Sequence, residues 1–220
     1  MQEEDMQKNT PQPDDEESYT LKNFIFDILD VGEAALLTIF VFLLIFAYLL
    51  RPVTVDGGSM NPTLYDKDNL LIVTSLVKPK NGQIVVIDDQ KSGRFTDEAQ
   101  TQTEIGTGSG IILIKRVIAK SGQTLDIDFG SGTVTVDGKV LDEPYIAAPT
   151  TLDEGAFHYP LTVPEGFVFV MGDNRMHSTD SRNPSIALIP ESEILGTGLV
   201  RYDRDDELCA KWTDRFAVIF

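Results

Sequence analysis

The chain has 220 residues, 42% of them hydrophobic, and sets 18 basic against 35 acidic side chains for a formal net charge of −17. That length allows one or two small domains, and such a charge would repel phosphate, which argues against nucleic acid as a partner. Cys209 is the only cysteine, so an intrachain disulfide is excluded, and no His/Cys/carboxylate group falls at metal-ligand spacing, so neither metal nor cofactor is expected.

Residues 1–20 carry Glu3, Glu4, Asp5, Asp14, Asp15, Glu16 and Glu17 against Lys8 alone. With so little to bury, this segment reads as a disordered acidic tail. Over residues 21–33, Leu21, Phe24, Ile25, Ile28 and Leu29 recur at helical spacing among Lys22, Asp27, Asp30 and Glu33, the pattern of an amphipathic helix at a membrane surface that runs on into a span. Residues 34–50 form the one long apolar run, broken only by the mildly polar Thr38 and Tyr48, and the anchor expected to cross a hydrocarbon core of about 30 Å is 34–51. The run follows acidic rather than basic chain, so a permanent anchor fits better than a cleavable leader. Lys22 on one side and Arg51 with Lys67 on the other leave orientation undecided by charge.

Beyond Pro52 the pattern becomes short apolar runs between turn residues, and the expected fold class is mainly β. Strands are predicted over 53–56, 69–75, 83–88, 111–119, 124–128, 133–136, 167–171, 199–202 and 216–220. Val136-Asp137-Gly138-Lys139-Val140 predicts a hairpin on its Asp-Gly turn. Residues 88–110, polar and rich in Gly, Thr and Gln, read as a mobile loop or a weak hairpin. Residues 122–163 are expected to form an insertion with its own hairpin, a smaller lobe within a β domain made of 52–121 and 164–220.

Three stretches carry chemistry. In Gly57-Gly58-Ser59-Met60-Asn61-Pro62-Thr63-Leu64, two glycines before a serine and a proline after it describe a tight turn that exposes the hydroxyl. A serine nucleophile needs a base. The candidates are His158, His177 and Lys115, the last embedded in Ile111-Ile112-Leu113-Ile114-Lys115-Arg116-Val117-Ile118. Burial in so apolar a run would bring the amine down from about 10.4 toward neutrality, whereas a lysine alternating outward would stay solvated; the segment alone leaves both readings open. The third stretch, Met171-Gly172-Asp173-Asn174-Arg175-Met176-His177-Ser178-Thr179-Asp180-Ser181-Arg182, is a loop dense in short polar and charged groups leaving a buried strand.

These three stretches, in this order behind one apolar run, resemble the bacterial type I signal peptidases (leader peptidases) in a single-span, Gram-positive-like form, from residue 34 to the C-terminus. The resemblance implies a signal-peptidase-like β core with a smaller inserted β lobe behind one transmembrane helix. It also implies Ser59 as nucleophile and Lys115 as general base, Ser178 orienting the amine, Asp180 with Arg182 bracing the loop, and Met60 lending its side chain to the substrate cleft. Asp173, Arg175 and Arg116 then form a structural network. Gly57 stands where some members place a second oxyanion donor, so its backbone or a water would have to substitute. The substrates implied are secretory preproteins bound in extended form and cut after small residues. The setting implied is a bacterial cell membrane, with a cytoplasmic N-terminus, an extracellular catalytic domain, and room for contact with the protein export machinery.

Other classes are weighed against this one. A non-catalytic assembly or folding factor would keep the anchor and β core without needing Ser59 and Lys115. A sortase-like cysteine peptidase would need Cys209 activated, and Glu207-Leu208-Cys209-Ala210 supplies no activating group. A self-cleaving repressor peptidase would carry a DNA-binding module in place of the apolar run.

Overall fold

The computed structural model describes residues 20–74, 78–204, 209 and 211–219. The expected acidic tail therefore lies outside the described residues except for Thr20, as do the ends of two predicted strands at Ser75 and Phe220. The chain divides after Leu44 into two units.

The first unit belongs to one helix, α1 (Leu21–Tyr48), continuous through both the amphipathic and the apolar segments. None of its residues is buried, and at 1.5 Å per residue its 28 residues extend about 42 Å, long and apolar enough to cross a bilayer. The helix stops short of the predicted end of the span at residue 51. Leu50 and Arg51 already belong to a strand, because Pro52 has no N–H for an intrahelical bond and disfavours helical geometry in the residue before it.

The second unit, from Ile45 onward, takes in the last residues of α1 and short 3-10 helices at Glu191–Glu193 and Trp212–Arg215, and is otherwise built on β-strands. Its strands are β1 (Leu50–Thr54), β2 (Asn69–Thr74), β3 (Ile84–Asp88), β4 (Lys91–Phe95), β5 (Thr103–Thr107), β6 (Ile112–Lys120), β7 (Thr124–Asp128), β8 (Thr133–Val136), β9 (Lys139–Val140), β10 (Leu161–Thr162), β11 (Phe167–Met171), β12 (Ile189–Pro190), β13 (Ile194–Asp203) and β14 (Ala217–Val218). Eight of them make one antiparallel sheet in the order β1-β2-β13-β3-β6-β11-β12, with β14 paired to Val200 and Arg201 of β13, past the residues that pair with β3. Side chains alternate faces along a strand, so Val85 and Ile87 of β3 join one apolar cluster while Ile84 and Val86 join another. The sheet is thus covered on both sides, and β6 near its middle reads as an almost continuous apolar run for that reason.

Residues 122–163 do form a sheet of their own, β10-β7-β8-β9, closed at its tip by Asp137 and Gly138, both with positive φ as a two-residue hairpin turn demands. This sheet does not stand apart. Leu125, Ile127, Val134, Val136 and Leu161 pack in one cluster with Ile118, Phe167, Phe169 and Met171 of β6 and β11.

Between Asp88 and Gly110 the chain makes the β4–β5 hairpin, fixed to the core by two backbone hydrogen bonds between Gly93 and Leu188. A Cβ at Gly93 would lie 2.3 Å from the Phe167 ring, so only glycine lets the hairpin approach this closely. At its far end Gln100 and His158 exchange hydrogen bonds of 2.7 and 2.9 Å.

Candidate active site

Ser59 sits on a turn held from below. Met60 (1% exposed) and Leu64 point into the cluster formed with Val55, Leu70 and Ile72, Leu64 N–H donates to Met60 O, and Asn61 N–H donates to Gly58 O. Gly57 has φ +89°, which lets the chain double back, and its N–H donates to Asp66 Oδ1 at 2.8 Å. The Ser59 side is half-buried at the surface.

Lys115 lies in the middle of β6, in register with Val85 of β3, and is 3% exposed. Its Nζ donates to Ser59 Oγ at 2.8 Å, joining residues 56 apart in sequence. Loss of water around the amine disfavours its charged form and brings its pKa from 10.5 down to about 8. Asp180 and Asp173 act in the opposite direction and Arg182 in the same one, without reversing it. Both histidines are exposed, and Lys115 is the basic group that reaches the hydroxyl.

The loop after β11 closes over this pair. Asp180 and Arg182 are fully buried and joined through Nε and Nη2 at 2.9 Å, and Asp180 also accepts from Gly172 N–H. The Arg182 guanidinium reaches Leu152 O and Arg175 O. Arg175, also fully buried, donates to Gly172 O, to Thr150 and to both oxygens of Glu143. Asp173 accepts two bonds from Arg116, at 2.8 and 2.6 Å, and one from Thr63. In this loop Asp173, Arg175, Asp180 and Arg182 each meet an opposite charge with matched donors and acceptors, the condition under which burial of ions is tolerated.

The Ser178 hydroxyl is buried, with no hydrogen-bond partner among the described residues, and lies against Gly172, where a Cβ would come within 2.2 Å of it. Met60, buried in the core cluster beneath the turn, is also among the residues that line the cleft beside Ser59. Gly57 cannot lend its N–H to an oxyanion while Asp66 holds it. The inserted segment is not remote from the site. Glu143, Thr150 and Leu152 bind the loop arginines, and the Tyr145 ring lies 3.9 Å from the Arg116 guanidinium.

Asn174 was passed over in the sequence. Its backbone N–H donates to Ser59 O and its side-chain amide to Gly58 O, both at 3.0 Å, so the polar loop grips the serine turn directly. The local signal was an asparagine within a run of turn-forming residues, which marks a loop but not what the loop binds.

Beside Ser59 and Lys115 runs a cleft between Val53, Thr54, Val55 and Asp56 on one side and Ile111 to Ile114 on the other. Ile111 and Ile112 are 54% and 63% exposed, an apolar rim on a strand end. Among the described residues no group of three or more His, Cys, Asp or Glu could hold a metal ion.

Comparison with known proteins places these features in context. The profile of the family described as "Signal peptidase, peptidase S26" matches residues 28–202. Signal peptidase I T of Bacillus subtilis is 35% identical over 77% of this chain and 82% of its own length. Signal peptidase I of Bacillus licheniformis is 34% identical over 83% of this chain and 91% of its own length. A crystal structure of a signal peptidase I from Enterococcus faecalis V583 aligns with 56% of this chain and 98% of its own, at 26% identity and a TM-score of 0.41.

Proposed function

The chain belongs to the S26 family of signal peptidases, and from that premise we propose that it is a membrane-anchored serine endopeptidase whose nucleophile is Ser59 and whose general base is Lys115. Family membership supports removal of signal peptides from preproteins. The observation that carries the residue assignment is the 2.8 Å contact between a buried amine, titrating at about 8, and a serine hydroxyl on an exposed turn.

The chemistry follows from that contact. In its neutral form the Lys115 amine accepts the Ser59 proton as Oγ bonds to the scissile carbonyl carbon, and the carbonyl electrons move onto oxygen. Collapse of this tetrahedral intermediate breaks the C–N bond, and the ammonium returns the proton to the leaving amine of the mature protein. A water then loses its proton to the same amine and attacks the acyl-enzyme ester, releasing the signal peptide's new carboxylate and restoring Ser59. The Ser59 N–H, which donates to no group among the described residues, is placed to receive the oxyanion. The bracing network of Asp173, Arg175, Asp180, Arg182 and Arg116 holds the loop, so these residues act through the pair rather than on substrate.

The extended preprotein is assigned to the cleft between residues 53–56 and 111–114, in the strand-addition mode of peptide recognition and with cleavage after small residues as signal peptides present them. Helix α1 serves as the anchor, with the N-terminus on the cytoplasmic side and the β unit outside. The test is processing of a model preprotein by the purified full chain. Product with the intact protein, and none with Ser59→Ala or Lys115→Ala that remain folded, supports the reading. Substantial cleavage without the lysine amine overturns it, and no cleavage by the intact chain against any preprotein favours the non-catalytic assembly factor.

A further inference from the structure

From the bonds that Asn174 makes to the serine turn, we infer that Asn174 is a positioning residue for the oxyanion donor, acting through the Gly58–Ser59 peptide group. This inference rests on the reading of Ser59 as nucleophile. Gly58 O and Ser59 N–H belong to the same peptide unit, which is planar and trans, so they point in opposite directions. Asn174 Nδ2 donates to that oxygen at 3.0 Å, and Asn61 N–H donates to it at 3.2 Å. Two donors on one carbonyl fix the plane of the peptide and hence the direction of the N–H. They also draw electron density toward the oxygen and make the N–H a stronger donor.

A second bond reinforces the first. Asn174 N–H donates to Ser59 O, which fixes the next peptide plane, so both units flanking the Ser59 Cα are held by one residue. Gly172 makes the approach possible, because a Cβ there would lie 2.4 Å from Ser59 O. The glycines at 57 and 58 leave the turn soft before the nucleophile, and this outside grip supplies the rigidity that a preorganised oxyanion site requires. The side-chain amide makes no hydrogen bond to Lys115, whose own bond runs to Ser59 Oγ, and Asn174 is not among the groups that shift the Lys115 pKa.

The experiment measures kcat, KM and the pH profile for cleavage of a model preprotein by detergent-solubilised full-length Asn174→Ala and Asn174→Asp. Ser59→Ala serves as control, and affinity for a peptide aldehyde that forms an oxyanion on Ser59 is measured in parallel. Loss of one positioning contact to an oxyanion donor is expected to lower kcat by about 10- to 100-fold. KM should stay within about threefold, the acid limb should not move, and aldehyde affinity should fall in proportion to kcat/KM. Asn174→Asp keeps the size of the side chain and the backbone N–H but turns a donor into an acceptor facing Gly58 O, and should lose at least as much. A rise in KM at unchanged kcat, a shifted acid limb, aldehyde affinity that does not follow kcat/KM, or wild-type turnover overturns the inference. Failure of both variants to fold also overturns it, since the amide would then be a stability element. If Ser59→Ala remains active, the nucleophile assignment falls first, which separates the two failures.

Discussion

Arg116 and Asp173 share two hydrogen bonds of 2.8 and 2.6 Å, and through them the strand that carries Lys115 is tied to the loop that grips Ser59. Asp173 is fully buried and Arg116 is 7% exposed, its guanidinium also meeting Gly82 O and the Tyr145 ring. With the Thr63 hydroxyl bonded to the same carboxylate, Asp173 links the strand of Lys115 to the turn that carries Ser59.

Removal of one partner leaves the other charge buried and unpaired. Asp173→Ala is expected to destabilise the protein by about 3–5 kcal/mol, and Arg116→Ala by a similar amount. The double variant should lose clearly less than the sum of the two, because no orphaned charge remains. Denaturant unfolding of the four proteins of this cycle checks it, and additivity would show that the pair is not coupled.

The activity should rise with pH. Only the neutral amine can accept the Ser59 proton, and Lys115 titrates at about 8, so kcat/KM falls about tenfold per pH unit below that value. Replacement of both His158 and His177 by Gln should leave this limb in place, since both side chains are exposed and Lys115 is the base in contact with the hydroxyl. A limb near 6.5 that disappears with a histidine would contradict the assignment.

Lys115 also costs stability. Its folded pKa of about 8 lies below the usual 10.5, so the unfolded chain binds the proton more tightly and folding carries a penalty of about 3 kcal/mol. That penalty is complete below about pH 8 and fades as pH rises toward 10.5. Lys115→Met should therefore abolish cleavage while raising stability at pH 7, and its advantage over the wild type should shrink between pH 8 and 10.5. Thermal unfolding across that range reads the gap directly.

Gly172 tests how tightly the loop is packed on the turn. A Cβ there would come within 2.2 Å of Ser178 Oγ and 2.4 Å of Ser59 O, and the latter is backbone with little room to move. Gly172→Ala should cost about 1–3 kcal/mol and displace the Ser59 carbonyl, with loss of turnover larger than the stability change explains. Preserved turnover at full stability would show that the contact is slack.

Much of this architecture was legible in the chain itself, because burial leaves a periodic trace. The strands over 124–128, 133–136 and 167–171 were predicted to the residue from short apolar runs bounded by turn formers. The apolar helix and the Asp137-Gly138 turn were equally plain. The start of β13 was missed because Gly196 and Gly198 argue against a strand in sequence, whereas the fold requires them. A Cβ at Gly196 would lie 2.5 Å from Val73 O. β10 and β12, two residues each, exist only because a partner strand is already in place.

The serine turn, the lysine and the polar loop were each visible by residue type, since chemistry of this kind depends on side-chain identity. Whether they meet was not. A period of two says that Lys115 lies opposite Ile114 across the sheet plane, but not that its own side is also covered, and only the stacked clusters on both faces turn the exposed reading into the buried one. The same limit applies to Asn174, whose donors reach two carbonyls more than a hundred residues away, and to Glu143, whose carboxylate meets Arg175 from the loop that follows β9. Local sequence determines which groups are available and which elements carry them. Long-range packing decides which are desolvated and which are neighbours, because both properties depend on atoms that the local sequence does not contain.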